Sequence, residues 1–441
     1  MDLFTVIIMK KILFITYYFP PAVGAGVQRP MTLVKNLMQF GVEPIVITVN
    51  PDVASYQGTD EGLLREIPAR IRVYRTNTNE HYKYYKRFVK KSVPTAGFAN
   101  ESHPSFLQKV ARFIRGNFYF PDPRKGWFDF AVAQAEKIIK EENIDIVYTT
   151  SPPQSTHLIG LELKRKLGVK WICDLTDPWT DIYYFKKLYH LPFALRMNKR
   201  MELDVLEQAD QLITCSKNFR ELFLKKSTKI KSENFEILYV GYDADHFTNR
   251  KSAPSEKSLT ITYTGTIADS YNPVAFLRAV KRLADQNIAP LQLRFVGMAS
   301  DGINDLIKAN GLGSLTEFTG MVSHSESINY LMKSTALLLI VPQNENNEGI
   351  IPGKIFEYFA SQKPILALAN PNGDVAELIA ENQRGKSFDH AEEDAIYLYL
   401  TALAHAWNTN SNLDLNTIDL SRYESRHQAK LLSDAVMKLT K

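Results

Sequence analysis

Cysteine is almost missing from this chain of 441 residues: only Cys173 and Cys215 occur, each in an apolar run that reads as a strand. Two such residues exclude a disulfide scaffold and a cysteine zinc site, and they fit a reducing compartment. Long apolar runs are missing as well. None reaches the ~18–20 residues that a membrane-spanning helix needs. The first residues carry Asp2 where an export signal wants basic side chains, and Met9-Lys10-Lys11 is the more natural beginning. Residues 1–8 therefore read as an upstream extension, and the expected location is cytoplasmic. A large charge of one sign is also absent: 53 basic against 48 acidic residues leave +5, too little to imply a nucleic-acid partner. No internal repeat or low-complexity tract stands out.

What remains is ordinary for a globular protein, with 45% hydrophobic and 23% charged residues in a length that suits two domains. Strand-like apolar runs alternate with amphipathic segments of helical length, the pattern of parallel α/β sheets. The first series lies at 12–17, 44–49, 71–76, 144–149, 171–175, 211–215 and 237–240; the second at 259–263, 291–296, 336–341 and 364–369. A polar stretch at 247–258 reads as a linker between them. The expectation is two Rossmann-like doubly wound domains, 1–240 and 241–420. Residues 80–127 interrupt the rhythm as an insertion, and a last amphipathic helix fills 421–441. Ligands of such sheets lie at the carboxyl ends of the strands.

The richest stretch is Asn347-Glu348-Gly349-Ile350-Ile351-Pro352-Gly353-Lys354-Ile355-Phe356-Glu357-Tyr358-Phe359-Ala360-Ser361-Gln362-Lys363-Pro364. It reads as a glycine-bearing loop, a short helix with Pro352 in its first turn, and a buried strand. First-turn amides have no intrahelical partner, so they suit an anion such as a diphosphate. Lys354 and Glu357 are three apart and share a face. A cation beside the anion and a carboxylate near sugar hydroxyls fit a nucleotide-sugar pocket. The stretch resembles the donor segment of family 4 retaining glycosyltransferases of GT-B fold, in which the glutamate matched by Glu357 holds the nucleotide ribose.

Other segments agree with that resemblance. Tyr17-Tyr18-Phe19-Pro20-Pro21-Ala22-Val23-Gly24-Ala25-Gly26-Val27-Gln28-Arg29-Pro30 resembles the family's first glycine-rich loop, with Gly24 and Gly26 beside the donor diphosphate and Arg29 on the acceptor side. It is no dinucleotide fingerprint, since Arg29 replaces the third glycine. Asp174-Leu175-Thr176-Asp177-Pro178-Trp179 ends a strand. It resembles the family's Asp-x-x-Asp-Pro-Trp, so Asp177 is the candidate sugar-contacting carboxylate and Asp174 a structural one; a helix-capping role for Asp177 is the plain alternative. Asp122, Trp127 and His157 resemble acceptor-side positions, although His157 equally suits a structural role at a helix start.

The chain also departs from the family. After Thr264-Gly265 the usual arginine is Thr266, and no lysine follows in 270–272; eight residues rather than seven separate Glu348 from Glu357. Positive charge at the diphosphate then falls to Lys354, the 349–351 amides (Gly349, Ile350, Ile351), and Arg29 or Arg294. Asp243-Ala244-Asp245 spells a metal-binding D-x-D, but it lies beside the linker and is discounted; no metal and no cofactor beyond the nucleotide sugar is expected. Lys83-Tyr84-Tyr85-Lys86-Arg87-Phe88-Val89-Lys90-Lys91 gathers five basic residues in nine. It either docks on the anionic inner face of a membrane or is a solvated charged face.

The resemblance implies transfer of a sugar to a hydroxyl of a cytoplasmic glycan or lipid-linked acceptor, with Asp177 and Lys354 as catalytic groups. A nucleotide-sugar 2-epimerase and a non-catalytic binding relative share the architecture and stay open as alternatives.

Overall fold

The computed structural model describes residues 9–56, 58–80, 105–248, 257–409 and 418–440. The extension at 1–8, the basic segment 83–91 and most of the linker lie outside them. The chain divides into two compact units. One runs to Gly241 and takes back Tyr423 onward; the other spans Tyr242 to Arg422.

The first unit is a seven-stranded parallel sheet, β1 (Lys10–Ile15), β2 (Val42–Val49), β3 (Arg72–Thr76), β4 (Ile146–Thr150), β5 (Lys170–Leu175), β6 (Gln211–Thr214) and β7 (Phe235–Ile237), in the order β3-β2-β1-β4-β5-β6-β7. Runs such as Leu13-Phe14-Ile15 have no exposed surface, because a parallel sheet is covered on both faces. Among the described residues six helices belong to its connections: α1 (Ala25–Leu37), α2 (Phe106–Phe118), α3 (Phe128–Glu142), α4 (Ser155–Leu167), α5 (Pro192–Gln208) and α6 (Lys217–Leu224). The insertion read at 80–127 therefore holds a well-formed helix, α2, started by a capping box between Ser105 and Gln108.

The second unit has β8 (Leu259–Thr264), β9 (Leu291–Val296), β10 (Thr316–Gly320), β11 (Ala336–Ile340), β12 (Ile365–Leu368) and β13 (Gly385–Phe388) in the order β10-β9-β8-β11-β12-β13, all parallel. Its helices are α7 (Val274–Asp285), α8 (Asp301–Ala309), α9 (His324–Lys333), α10 (Lys354–Ala360), α11 (Asp374–Glu381) and α12 (Glu393–Asn408). Phe276, Leu277, Val280 and Leu283 of α7 enter the core with Leu400 and Leu403 of α12.

The last helix, α13 (Ser425–Leu439), packs in the first unit. Ala429, Leu432 and Val436 share a core with Leu33, Val34 and Leu37 of α1. Ser433 donates to the Phe40 carbonyl at 2.8 Å, and Gln428 accepts from the Tyr239 amide at 2.8 Å. Among the described residues no helix is long and apolar enough to cross a membrane.

Candidate active site

Each sheet reverses its strand order beside its first strand, between β1 and β4 and between β8 and β11. Open α/β sheets bind ligands outside the carboxyl ends of the strands at such a switch point. In the second unit, β8 pairs with β11 only through Ile261 and Thr262. The tip of β8 is instead held by α10. Tyr358 Oη accepts from the Thr264 amide at 3.1 Å, and Lys354 Nζ donates to the Thr264 carbonyl. Two side chains one helical turn apart thus grip both polar groups of one peptide residue.

Lys354 also lies 4.0 Å over the Tyr263 ring, a cation–π contact. Gly265 makes room for it: its φ is +94°, and a Cβ there would stand 3.1 Å from the ammonium. Burial pulls the Lys354 pKa down to about 7, with Glu357 acting in the opposite direction. An ammonium so stripped of water gains from any anion that arrives beside it.

The helix itself starts later than the sequence suggests. Pro352 precedes it and accepts from the Ile355 amide at 3.0 Å; Gly353 is already in the right-handed helical region, and the helix proper runs seven residues from Lys354. Buried Ile355, Phe356, Tyr358 and Phe359 fix which arc of α10 carries Lys354 and Glu357. Glu357 Oε1 is 2.7 Å from His324 Nε2, and the His246 ring meets the His324 ring edge-on at 4.9 Å. Thr266 is exposed on the loop after Gly265, and its carbonyl accepts from Tyr263 Oη at 3.0 Å.

Several expected charge donors are committed elsewhere. The Ile350 amide donates to the Asn347 carbonyl at 3.1 Å, and Gly349 is buried in the short turn before Ile351. Asn370 braces this loop through Asn347 and Glu348. Arg294 is buried on β9; its Nε donates to Glu317 at 2.7 Å and its guanidinium lies over Tyr330. Asp243 caps the short turn of Asp245, accepting from that residue's amide at 3.1 Å.

The first unit corrects more of the expectations. Gly24, with φ +116°, precedes α1, and Gly26 packs against Tyr18 and Pro152. Arg29 is not on an acceptor surface. It is 3% exposed, makes a two-pronged ion pair with Asp174 at 2.7 and 2.9 Å, and donates to the Leu238 carbonyl at 2.7 Å. Every prong is used within the core, where β5 supplies the carboxylate and Tyr148 adds a further donor. Asp122 accepts from the Ser155 amide at 2.7 Å and the Ser155 hydroxyl at 3.0 Å, so it fixes the start of α4. Trp127 is buried, donates to Thr76 at 2.7 Å and meets the Tyr17 ring edge-on. His157 is fully buried beside Thr149 and Cys173, and burial lowers its pKa to about 3, leaving it neutral. Asp122 and Trp127 thus spend these polar atoms on the protein itself, whereas His157 Nε2 has no hydrogen-bond partner among the described residues.

Asp177 is different. It follows the end of β5 on a loop held by buried Trp179 and by the Thr180–Glu202–Lys226 network. Among the described residues its carboxylate has no hydrogen-bond partner, and burial raises its pKa to about 6. A desolvated carboxylate with free lone pairs at a strand end can accept from a ligand hydroxyl.

Two family models divide most of the chain. Residues 93–246 match the one described as Glycosyltransferase Family 4, and residues 245–419 match Glycosyl transferases group 1. This chain belongs to the family 4 glycosyltransferases. A curated Bacillus subtilis relative, TuaH, named as a teichuronic acid biosynthesis glycosyltransferase, is 21% identical over 203 residues. That match takes in 46% of this chain, which spans about half the length of the relative, 51%. Among solved structures, the lipopolysaccharide outer core galactosyltransferase WaaB aligns with TM-score 0.59 at 15% identity, over 97% of this chain and 99% of that one. Anabaena HepE, solved in complex with UDP, aligns with TM-score 0.59 at 12% identity, over 97% of this chain and 100% of that one. At such identities the likeness shows the shared GT-B fold.

In this family 4 chain the residues that sequence reasoning missed are Tyr263, Tyr358, His246 and His324. The Ser323-His324-Ser325-Glu326 capping box was readable as a helix start, but nothing local says that its histidine meets a glutamate 33 positions later. Tyr263 and Tyr358 sit in apolar runs and look like core until the contacts of Tyr263 with Lys354 and of Tyr358 with Thr264 are seen.

Proposed function

We propose that this chain is a retaining glycosyltransferase that moves a sugar from a nucleotide-diphosphate sugar to a hydroxyl of a glycan or lipid-linked acceptor, without a divalent metal. The observation that carries this is the joint placement of Lys354 and Glu357 at the switch point of the second unit. Lys354 is the group for the diphosphate, and Glu357 exchanges its His324 contact for the ribose hydroxyls.

The bond between the anomeric carbon and the phosphate oxygen breaks as the acceptor oxygen bonds to the same face of that carbon. The acceptor proton passes to an oxygen of the departing diphosphate. Negative charge on the diphosphate grows through this step, so the ammonium of Lys354 stabilises the transition state more than the bound donor. Asp177, mostly ionised at neutral pH with its pKa near 6, accepts a hydrogen bond from a sugar hydroxyl. The Bacillus subtilis relative named for teichuronic acid biosynthesis supports a cell-envelope glycan as the acceptor class.

A thermal-shift screen of nucleotide sugars selects the donor, since a ligand at 100 times its dissociation constant adds ~2.7 kcal/mol. The product anomer of the selected donor, read by NMR, is expected to match the donor's configuration. Inversion, or stabilisation by no nucleotide, would defeat the proposal. The His324–Glu357 pair offers acid–base groups to the epimerase alternative; conversion of a nucleotide sugar with no acceptor present would favour that reading instead.

A further inference from the structure

Helix α2 presents an apolar face to solvent. Phe106 is 79% exposed, Leu107 75% and Phe118 61%, with Val110 and Ile114 also exposed. At about 100° per residue these five positions fall within roughly one third of the helix circumference. Near its C-terminal end the helix is firmly seated. Gly116 lies so close to the Leu188 backbone that a Cβ would stand 2.4 Å from that carbonyl oxygen. Asn117 donates to the Tyr189 carbonyl at 3.1 Å and accepts from the Leu191 amide at 2.6 Å.

The same seating extends the patch. Tyr189, Leu191, Phe193 and Met197, at the start of α5, are each 41–46% exposed, and the Phe193 ring meets Phe120 at 6.3 Å. An exposed apolar area of this kind marks an interaction surface rather than scattered surface hydrophobics.

Its charge says what it meets. The segments 105–121 and 182–201 together contain eight Lys or Arg residues and no Asp or Glu. Lys125 donates to the Phe118 carbonyl at 2.9 Å and stands 5.3 Å from the Phe120 ring centre, at the edge of the stripe. Lys109, Lys186, Arg196 and Lys199 are exposed around it. Aromatic and aliphatic side chains beside exposed cations are complementary to an interface whose headgroups are anionic and whose interior is apolar.

We propose that the face formed by α2 and the start of α5 docks on an anionic lipid bilayer, with Phe106, Leu107 and Phe118 entering the acyl boundary. This goes beyond the catalytic proposal and does not depend on it. Docking would bring the acceptor-side unit to a lipid-linked acceptor.

The test is sedimentation of the full chain with vesicles of phosphatidylcholine alone or mixed with phosphatidylglycerol. Wild type is expected to pellet with the mixed vesicles, and salt is expected to release it. Replacing the three exposed residues (F106S, L107S and F118S together) is expected to weaken that binding at least about tenfold. These side chains are already in water, so the melting temperature and its shift with nucleotide are expected to hold. The charge reversal K109E with K186E is expected to lower binding to mixed vesicles while the apolar stripe is intact. Wild type left in the supernatant with anionic vesicles, or triple-variant binding equal to wild type, would overturn the proposal. So would a dimer that the triple substitution dissociates without vesicle binding, which assigns the face to a second copy.

Discussion

Lys354 is held where water solvates it poorly and its nearest carboxylate, Glu357, is engaged with His324. Burial, only partly offset by Glu357, takes the pKa to about 7, so in the free protein the group is only partly charged at neutral pH. A bound diphosphate raises that pKa. Binding therefore takes up a proton above pH 7 and none well below it. Affinity for a nucleoside diphosphate is expected to be flat on the acid side of 7 and to fall as pH rises above it. Calorimetry between about pH 6 and about 9, in buffers of differing ionisation enthalpy, reads both affinity and proton uptake. An affinity independent of pH, with no proton uptake, would show that Lys354 does not face the anion. Lys354→Ala is expected to lower turnover more than it weakens donor binding, because charge on the leaving group grows toward the transition state. Equal losses in steady-state kinetics and calorimetry would instead mean that Lys354 only binds.

At the scale of the element, α10 and the tip of β8 act as one piece through Thr264, Tyr358 and Lys354. Gly265→Ala forces a side chain into φ +94° and puts its Cβ 3.1 Å from the ammonium. It is expected to cost roughly 1–2 kcal/mol of stability from backbone strain and to weaken nucleotide binding as well. Gly24→Ala has φ +116° but nothing within 4 Å, so it is expected to cost stability alone. Denaturation and titration of both variants separate the two effects; identical behaviour would contradict the coupling of Gly265 to Lys354.

The elements also show what a sequence can carry. The strands with buried apolar runs were legible, but β10 and β13 were not: Thr316-Glu317-Phe318-Thr319-Gly320 and Gly385-Lys386-Ser387-Phe388 are sheet edges with half-exposed polar residues and no apolar run. The short helix with Lys354 and Glu357 was legible because glycine, proline and the charged pair lie within a few residues of one another. The contacts of Arg29, Asp122 and His157 were not legible for the opposite reason. Their partners Asp174, Ser155 and Cys173 lie 145, 33 and 16 positions away and join them only in the fold, and a polar residue bonded within the protein reads in sequence like one aimed at a substrate.

For the whole molecule, two sheets with the same order of strands each offer a switch point, and the proposed donor chemistry belongs to that of the second unit. Transfer in excess EDTA is expected to equal transfer without it, because Lys354 supplies the charge that metal-dependent transferases take from a cation. Loss of turnover restored by manganese or magnesium would reopen Asp243 and Asp245. The most direct measurement is calorimetric titration of UDP, GDP and ADP into wild type and Glu357→Gln. A carboxylate on both ribose hydroxyls makes charge-assisted bonds about twice as strong as neutral ones. Wild type is expected to bind one of the three, and Glu357→Gln, with its melting temperature unchanged, to bind that nucleotide at least about tenfold more weakly. Equal affinity in the two proteins, or no binding by wild type, would contradict the account.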